Sequence, residues 1–145
     1  MQKTLPSIRQ VQQAIIEEFA LLQDQPDLML DYIIDLGVQM PPLGEAAKVY
    51  ENLVPGCLAK VWLTQQEKQG RLWLRAESNA AITKGLISLL VRVFSGQRIE
   101  DIVQAEFFLD KAIGIGKLIG AQRRSGFANM LHRIKQYAAA AMGKV

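Results

Sequence analysis

The sequence predicts an α+β domain in which helices pack on one side of a small antiparallel sheet of about three strands. Three observations carry that expectation. Apolar residues recur at helical spacing near both ends of the chain. In the middle the period changes to strict alternation over two short runs separated by a polar turn, and helical spacing resumes directly afterwards. No repeat, low-complexity tract or linker interrupts the 145 residues, so residues 1–145 are read as a single domain, long enough to bury its own core.

The elements follow in order. Ile8, Val11, Ile15, Phe19 and Leu22 form the stripe of a first amphipathic helix, with Ser7 as N-cap and Pro6 just outside. Gln25-Pro26-Asp27 interrupts it, and a second helix runs through Leu30, Ile33 and Ile34 to Leu36, with Gly37 read as a left-handed cap that stops it. The two prolines of Met40-Pro41-Pro42-Leu43-Gly44 remove backbone donors and demand loop, and a helical turn is expected around Glu45 to Tyr50. Leu58 to Thr64 and Arg71 to Ala76 alternate and, with Gln65 to Gly70 between them, read as an antiparallel hairpin. A lone hairpin is marginal in water, so Tyr50 to Val54 is taken as the third strand. Ser78 is read as the cap of a helix striped by Ile82, Leu86, Leu89, Leu90 and Val93 and ending near Gly96. A short helix is expected around Ile99 to Val103 and a loop or frayed junction at Gly114-Ile115-Gly116. The last helix, Gly126 to Met142, presents Phe127, Met130, Leu131, Ile134, Tyr137 and Ala141 on one face.

Composition narrows the function classes. Half of the residues are hydrophobic, which suits a folded domain rather than a disordered one. No apolar run approaches the ~20 residues needed to span a bilayer, and Met1 to Arg9 lacks the layout of a secretory signal. A single cysteine forms no internal disulfide, and a free thiol fits a reducing compartment, the cytosol or an organelle or plastid stroma equivalent. The net charge of +3 is unevenly placed: Met1 to Asp110 holds ten Lys and Arg against fourteen Asp and Glu, whereas Lys111 to Val145 holds seven Lys and Arg and no acid. Such a basic third fits nucleic acid, an acidic protein partner, or a solvated face with no special use.

The residue most able to carry chemistry is Cys57. Pro55-Gly56 makes a tight turn just before it and a strand is expected just after it, which places the thiol on a loop tip. Two readings stand at this point: a reactive thiol presented to another protein, or a buried structural cysteine. Other chemistries fit worse. His132, the sole histidine, lies inside a helix, and one Cys with one His makes no metal site. Gly114-Ile115-Gly116 lacks a P-loop lysine, and Ser125 has no nucleophile-elbow motif.

Several separated segments together resemble the SufE family, sulfur acceptors that partner pyridoxal-phosphate (PLP) cysteine desulfurases in iron–sulfur cluster assembly. Tyr32-Ile33-Ile34-Asp35-Leu36-Gly37 followed by Met40-Pro41 is similar to the family's N-terminal helix and its Leu-Gly and Leu-Pro steps. Gly56-Cys57 with Val61-Trp62 is similar to its Gly-Cys-x-x-x-Val-Trp signature, and Ser78-Asn79-Ala80 running into Lys84-Gly85-Leu86-Ile87 to its Ser-Asp-Ala and Lys-Gly-Leu segment. Arg123, Gly126 and Met130 fit its Arg-x-Asn-Gly and the Met downstream. Asn79 stands where the family usually has Asp, Ala59 and Lys60 replace a commoner Ser and Gln, and Ser125 replaces an Asn or Gln.

The resemblance implies a SufE/IscU-like fold, with Cys57 receiving sulfur as a persulfide and no cofactor of the chain's own, since PLP belongs to the desulfurase. The implied partners are that desulfurase and a downstream iron–sulfur scaffold or other acceptor, with no membrane or nucleic acid. The chain is then a carrier and activator rather than an enzyme in the usual sense. Gly56, Lys60, Asn79, Arg123 and Arg124, with Lys117, are expected to meet the partner. An exposed thiol is prone to oxidation, so the free protein is expected to tuck the Cys57 side chain toward an apolar pocket formed with Leu58 or Trp62, and the loop to turn out on docking. The competing classes are a basic nucleic-acid-binding domain and an adaptor without sulfur chemistry.

Overall fold

A computed structural model describes residues 5–143; residues 1–4, where the reading for a secretory signal begins, and Lys144 of the basic third lie outside the described residues. Helix α1 (Ile8–Ala20) begins with a capping box: the Gln10 amide donates to Ser7 Oγ at 3.1 Å, and the Ser7 amide to Gln10 Oε1 at 2.8 Å. Its stripe buries Ile8, Ile15 and Phe19. Gln12, also fully buried, is satisfied at long range, because its Oε1 accepts from the amides of Phe108 and Leu109 at 2.9 and 3.1 Å while its Nε2 donates to the Glu106 carbonyl.

Helix α2 (Pro26–Gln39) has Pro26 at its first turn, where the missing amide costs nothing. It continues through Gly37, so the cap expected there is corrected. Gly37 is helical, and its bareness serves a helix crossing: a Cβ on it would lie 2.6 Å from the Gly85 nitrogen of α3 (Ala81–Phe94). A three-way polar cluster ties the same helices together. Tyr32 donates to Glu18 Oε1 at 2.6 Å, and Arg92 forks onto both Glu18 oxygens. The Arg92 guanidinium leads in holding the Glu18 carboxyl below its ordinary value, while burial and then the Glu18 bond push Tyr32 up to about 12.

Two single turns at Glu45–Ala47 and Tyr50–Asn52 follow the proline loop. The hairpin then forms from β1 (Val61–Lys68) and β2 (Arg71–Ser78), in register from Val61↔Ser78 to Lys68↔Arg71. β1 begins at Val61 rather than Leu58, so Leu58 to Lys60 after the cysteine is loop and not the strand expected there; β1 runs on to Lys68 and β2 to Ser78, and the turn is only Gln69-Gly70, with φ of 54° and 76°. A two-residue turn with both φ positive matches the twist of the strands, so pairing runs through the polar residues read as turn. Val61, Leu63, Leu72, Leu74 and Ala76 point inward as the alternation requires.

The third strand is not Tyr50 to Val54. It is β3 (Gln97–Arg98), antiparallel to β2, and the order is β1-β2-β3. Leu53 makes one isolated bridge to Trp62 on the opposite edge, because the turn at Tyr50–Asn52 leaves too little extended chain for a ladder. Ser78 does not cap α3 either. It ends β2, and Ala80 is the N-cap residue.

Helix α3 packs on α1, α2, α6 and the inner face of β2 and is the spine of the core, with Leu86, Ile87, Leu89, Leu90, Val93 and Phe94 buried. After α4 (Ile99–Gln104) and the short α5 (Leu109–Ile113), which the sequence did not indicate, Gly114 turns the chain at φ 73° into α6 (Ile115–Met142). The last helix thus starts earlier than expected, but Gly120 (φ 79°, ψ 167°) breaks it near its beginning. Helices and a three-stranded antiparallel sheet make this the α+β fold the sequence indicated.

Candidate functional site

Cys57 sits on an excursion from the edge of the sheet. The Val54 amide donates to the Val61 carbonyl at 2.8 Å and closes the base, so Pro55 to Lys60 loops out between them. The chain turns at Gly56, whose φ of 80° suits a residue without a Cβ. At the far end the loop is pinned by Asn79: the Lys60 amide donates to Asn79 Oδ1 at 3.0 Å, and the Asn79 amide to the Lys60 carbonyl at 3.3 Å. An Asn supplies the acceptor that an Asp would, without the charge.

The loop folds back on α6. Asn129 Nδ2 donates to the Gly56 carbonyl at 3.1 Å, and the Cys57 thiol lies 3.5 Å from the Gly126 carbonyl. Gly126 sits directly beside the sulfur: a Cβ there would lie 3.6 Å from Sγ, in ordinary contact. Cys57 is half-buried, and that burial pushes its thiol pKa up, favouring the neutral, less nucleophilic form. Leu58 beside it is 83% exposed but lines the same pocket as Cys57, and the thiol's polar contact is with α6.

Under the loop lies a pocket of about 540 Å³ whose walls come from Ala80 and α3 (Thr83, Leu86) and from α6 on both sides of the Gly120 break (Ile119, Arg123, Met130). The break itself forms part of the wall, where Gly120 and Ala121 line the pocket.

Among the residues singled out from the sequence, Gly56, Cys57, Lys60 and Asn79 come together on the loop and its anchor, and Arg123 lines the pocket. The other cations face elsewhere. Arg124 lines a separate hollow of about 160 Å³ with Phe107 and Phe127, and Lys117 another of about 170 Å³ with Asp24 and Pro26. His132 is exposed on α6. Asn129, missed in the sequence, stands one helical turn after Gly126. That i, i+3 spacing puts the two on one face, and it is the signal that points to Asn129. Among the described residues no cluster of three His, Cys, Asp or Glu could hold a metal, and no helix is long and apolar enough to cross a membrane.

Comparison with known proteins bears on the family and the fold. Residues 13–138 match the family described as SufE, the Fe-S metabolism associated domain. An uncharacterized SufE-like protein of Rhizobium meliloti is 33% identical over 129 residues, covering 86% of this chain and 91% of that protein. One from Synechocystis is 27% identical, covering 87% and 79%. The SufE-like protein 1, chloroplastic/mitochondrial, of Arabidopsis thaliana is 28% identical over 87% of this chain, which matches 34% of its length. The solution structure of a hypothetical protein from Thermus thermophilus shares the fold at a TM-score of 0.75 and 16% identity, covering 92% of this chain and 97% of that one. With the family matched over nearly the whole chain, this protein belongs to the SufE family, associated with iron–sulfur metabolism.

Proposed function

We propose that the protein accepts sulfur from a PLP-dependent cysteine desulfurase as a persulfide on Cys57 and hands it on for iron–sulfur cluster assembly. The observation that carries this reading is the placement of the chain's sole cysteine: on a protruding loop, half-covered, above a pocket with room for an added sulfur.

In the first step the Cys57 thiolate attacks the outer sulfur of the desulfurase persulfide. The new bond is Cys57 S–S, and the desulfurase cysteine leaves as its thiolate. In the second step a thiolate on the acceptor attacks the outer sulfur of the Cys57 persulfide and releases the Cys57 thiolate. Carbon–sulfur cleavage stays with the desulfurase and its PLP, so the chain works without a cofactor of its own, as a carrier and activator in the cytosol or an organelle stroma. In the free protein burial suppresses the thiolate and shields the sulfur. Docking turns the loop outward, where the thiol regains water and ionises more readily. Arg123, at the pocket wall, and Arg124 steer an acidic rim of the desulfurase toward the loop.

The test is sulfide production by the cognate desulfurase with wild type or Cys57→Ser added, together with mass spectrometry of Cys57. Stimulation by wild type alone, with one extra sulfur on Cys57, is expected. Equal stimulation by both proteins would show that docking rather than the thiol is responsible, and the carrier role would be abandoned.

A further inference from the structure

We propose that Asn129 is a positioning residue for this sulfur transfer, latching the Cys57 loop in its inward-facing state through the Gly56 carbonyl. The proposal rests on the persulfide reading of Cys57 for its purpose, but not for its test.

Helix α6 grips two consecutive loop residues from one face: Asn129 Nδ2 bonds the Gly56 carbonyl at 3.1 Å, and the Gly126 carbonyl meets Cys57 Sγ at 3.5 Å. Among the described residues, Asn129 is the only side-chain donor to a carbonyl of residues 55–60. A Cβ on Gly56 would run into Asn129 Nδ2, so the bare turn is what admits the amide. The other anchors belong to the sheet and need not move. Val54 is bonded to Val61 at the loop's base, and Asn79 brackets Lys60 at the corner between β2 and α3. Turning the sulfur outward leaves those bonds intact and breaks the two contacts with α6. A thiol is a weak donor, so the Asn129 bond sets most of the bias toward the inward state.

A neutral hydrogen bond at a partly exposed site shifts such an equilibrium roughly two- to tenfold. Outward turning also exposes the thiol to water, which reverses the burial that raises its pKa. Arg123 on α6 is the charged side chain lining the thiol's pocket and Lys60 is the cation on its own loop, while the N-cap Ala80 and α3 residues Thr83 and Leu86 on the far wall are not titratable. Variants at Asn129 retain both cations, so a changed titration reports the thiol's own surroundings.

The experiment is iodoacetamide alkylation of Cys57 across pH, without desulfurase, in wild type, Asn129→Ala and Asn129→Leu, with urea unfolding of each. Both variants are expected to react roughly two- to tenfold faster near neutral pH, with the pH profile moved to lower pH and the urea midpoint unchanged. Wild-type rates and profiles in both variants would overturn the proposal. So would an acceleration no larger than their loss of global stability explains. Because no desulfurase enters, such a failure removes the latch and leaves the carrier role to the Cys57→Ser comparison.

Discussion

The α1–α2–α3 side and the Cys57 side of the molecule are built to opposite standards. On the first, backbones approach closely: Gly37 and Gly85 let α2 and α3 cross with no Cβ of their own in the way, and Glu18, Tyr32 and Arg92 join all three helices through charge-assisted bonds. On the second, a protruding loop rests on α6 through one amide bond and a weak thiol contact, over a pocket and beside a broken helix. The difference teaches where rigidity is needed. On the proposed carrier role, the loop has to leave its resting place at a small energetic cost, and it can do so repeatedly only if the frame that holds its two ends does not follow it.

The sharpest way to break this contrast is Gly85→Ala. The added methyl would fall on the Ile33 carbonyl oxygen and 2.6 Å from Ile33 Cγ2, contacts that backbone cannot relieve by changing a rotamer. Destabilisation at or beyond the upper end of ordinary overpacking, about 3 kcal/mol or more, is expected in urea or thermal unfolding. A loss below ~1 kcal/mol would mean that the helix crossing yields, and that the rigid side is not rigid.

The same contrast governs what the sequence disclosed. The inward sets Val61, Leu63 and Leu72, Leu74, Ala76 were legible because a half-buried sheet imposes a period of two. Gly37 was misread because a glycine serves either a left-handed turn or a close approach, and only the position of Gly85 distinguishes them. The two residues of β3 are too few to show any period, and Gly96 before them (φ 82°) reads equally well as a helix stop. Cys57 stood out as a lone thiol after Pro-Gly, and its loop was expected. That its sulfur would be tucked in was expected too, but not against what, because the covering groups lie far along the chain: Gly126 at a separation of 69 residues and Asn129 at 73 from Gly56. Local pattern reports faces and turns. It is silent on which distant backbone a side chain meets.

A second test works on the tethered side alone. Reversing Arg123 and Arg124 to Glu should leave the fold intact, since both are exposed, and weaken stimulation of the desulfurase by roughly tenfold at low salt, with the gap closing as salt rises. The structure refines this expectation. Arg123 lines the Cys57 pocket and Arg124 a separate hollow, so Arg123→Glu alone should account for most of the loss. Equal stimulation by the double reversal at every salt concentration would reject the steering role.

The smallest effect should be the most discriminating, because its two readouts move in opposite directions. Gly126 is a buried helical glycine without a left-handed backbone, and a Cβ there meets Cys57 Sγ at 3.6 Å, an ordinary contact. Gly126→Ala should therefore stabilise the protein by up to ~1 kcal/mol through helix propensity. The same methyl takes up space beside Sγ where an inward-facing persulfide would place its outer sulfur, so sulfur loading on Cys57 should slow by roughly threefold. A general packing effect would move stability and loading together, downward. Faster unfolding with slower loading would thus point to simple damage, and a stabler protein that loads at the wild-type rate would show that the persulfide does not rest against α6. A stabler protein that loads more slowly is expected only if the loop's resting place is also where the sulfur is kept.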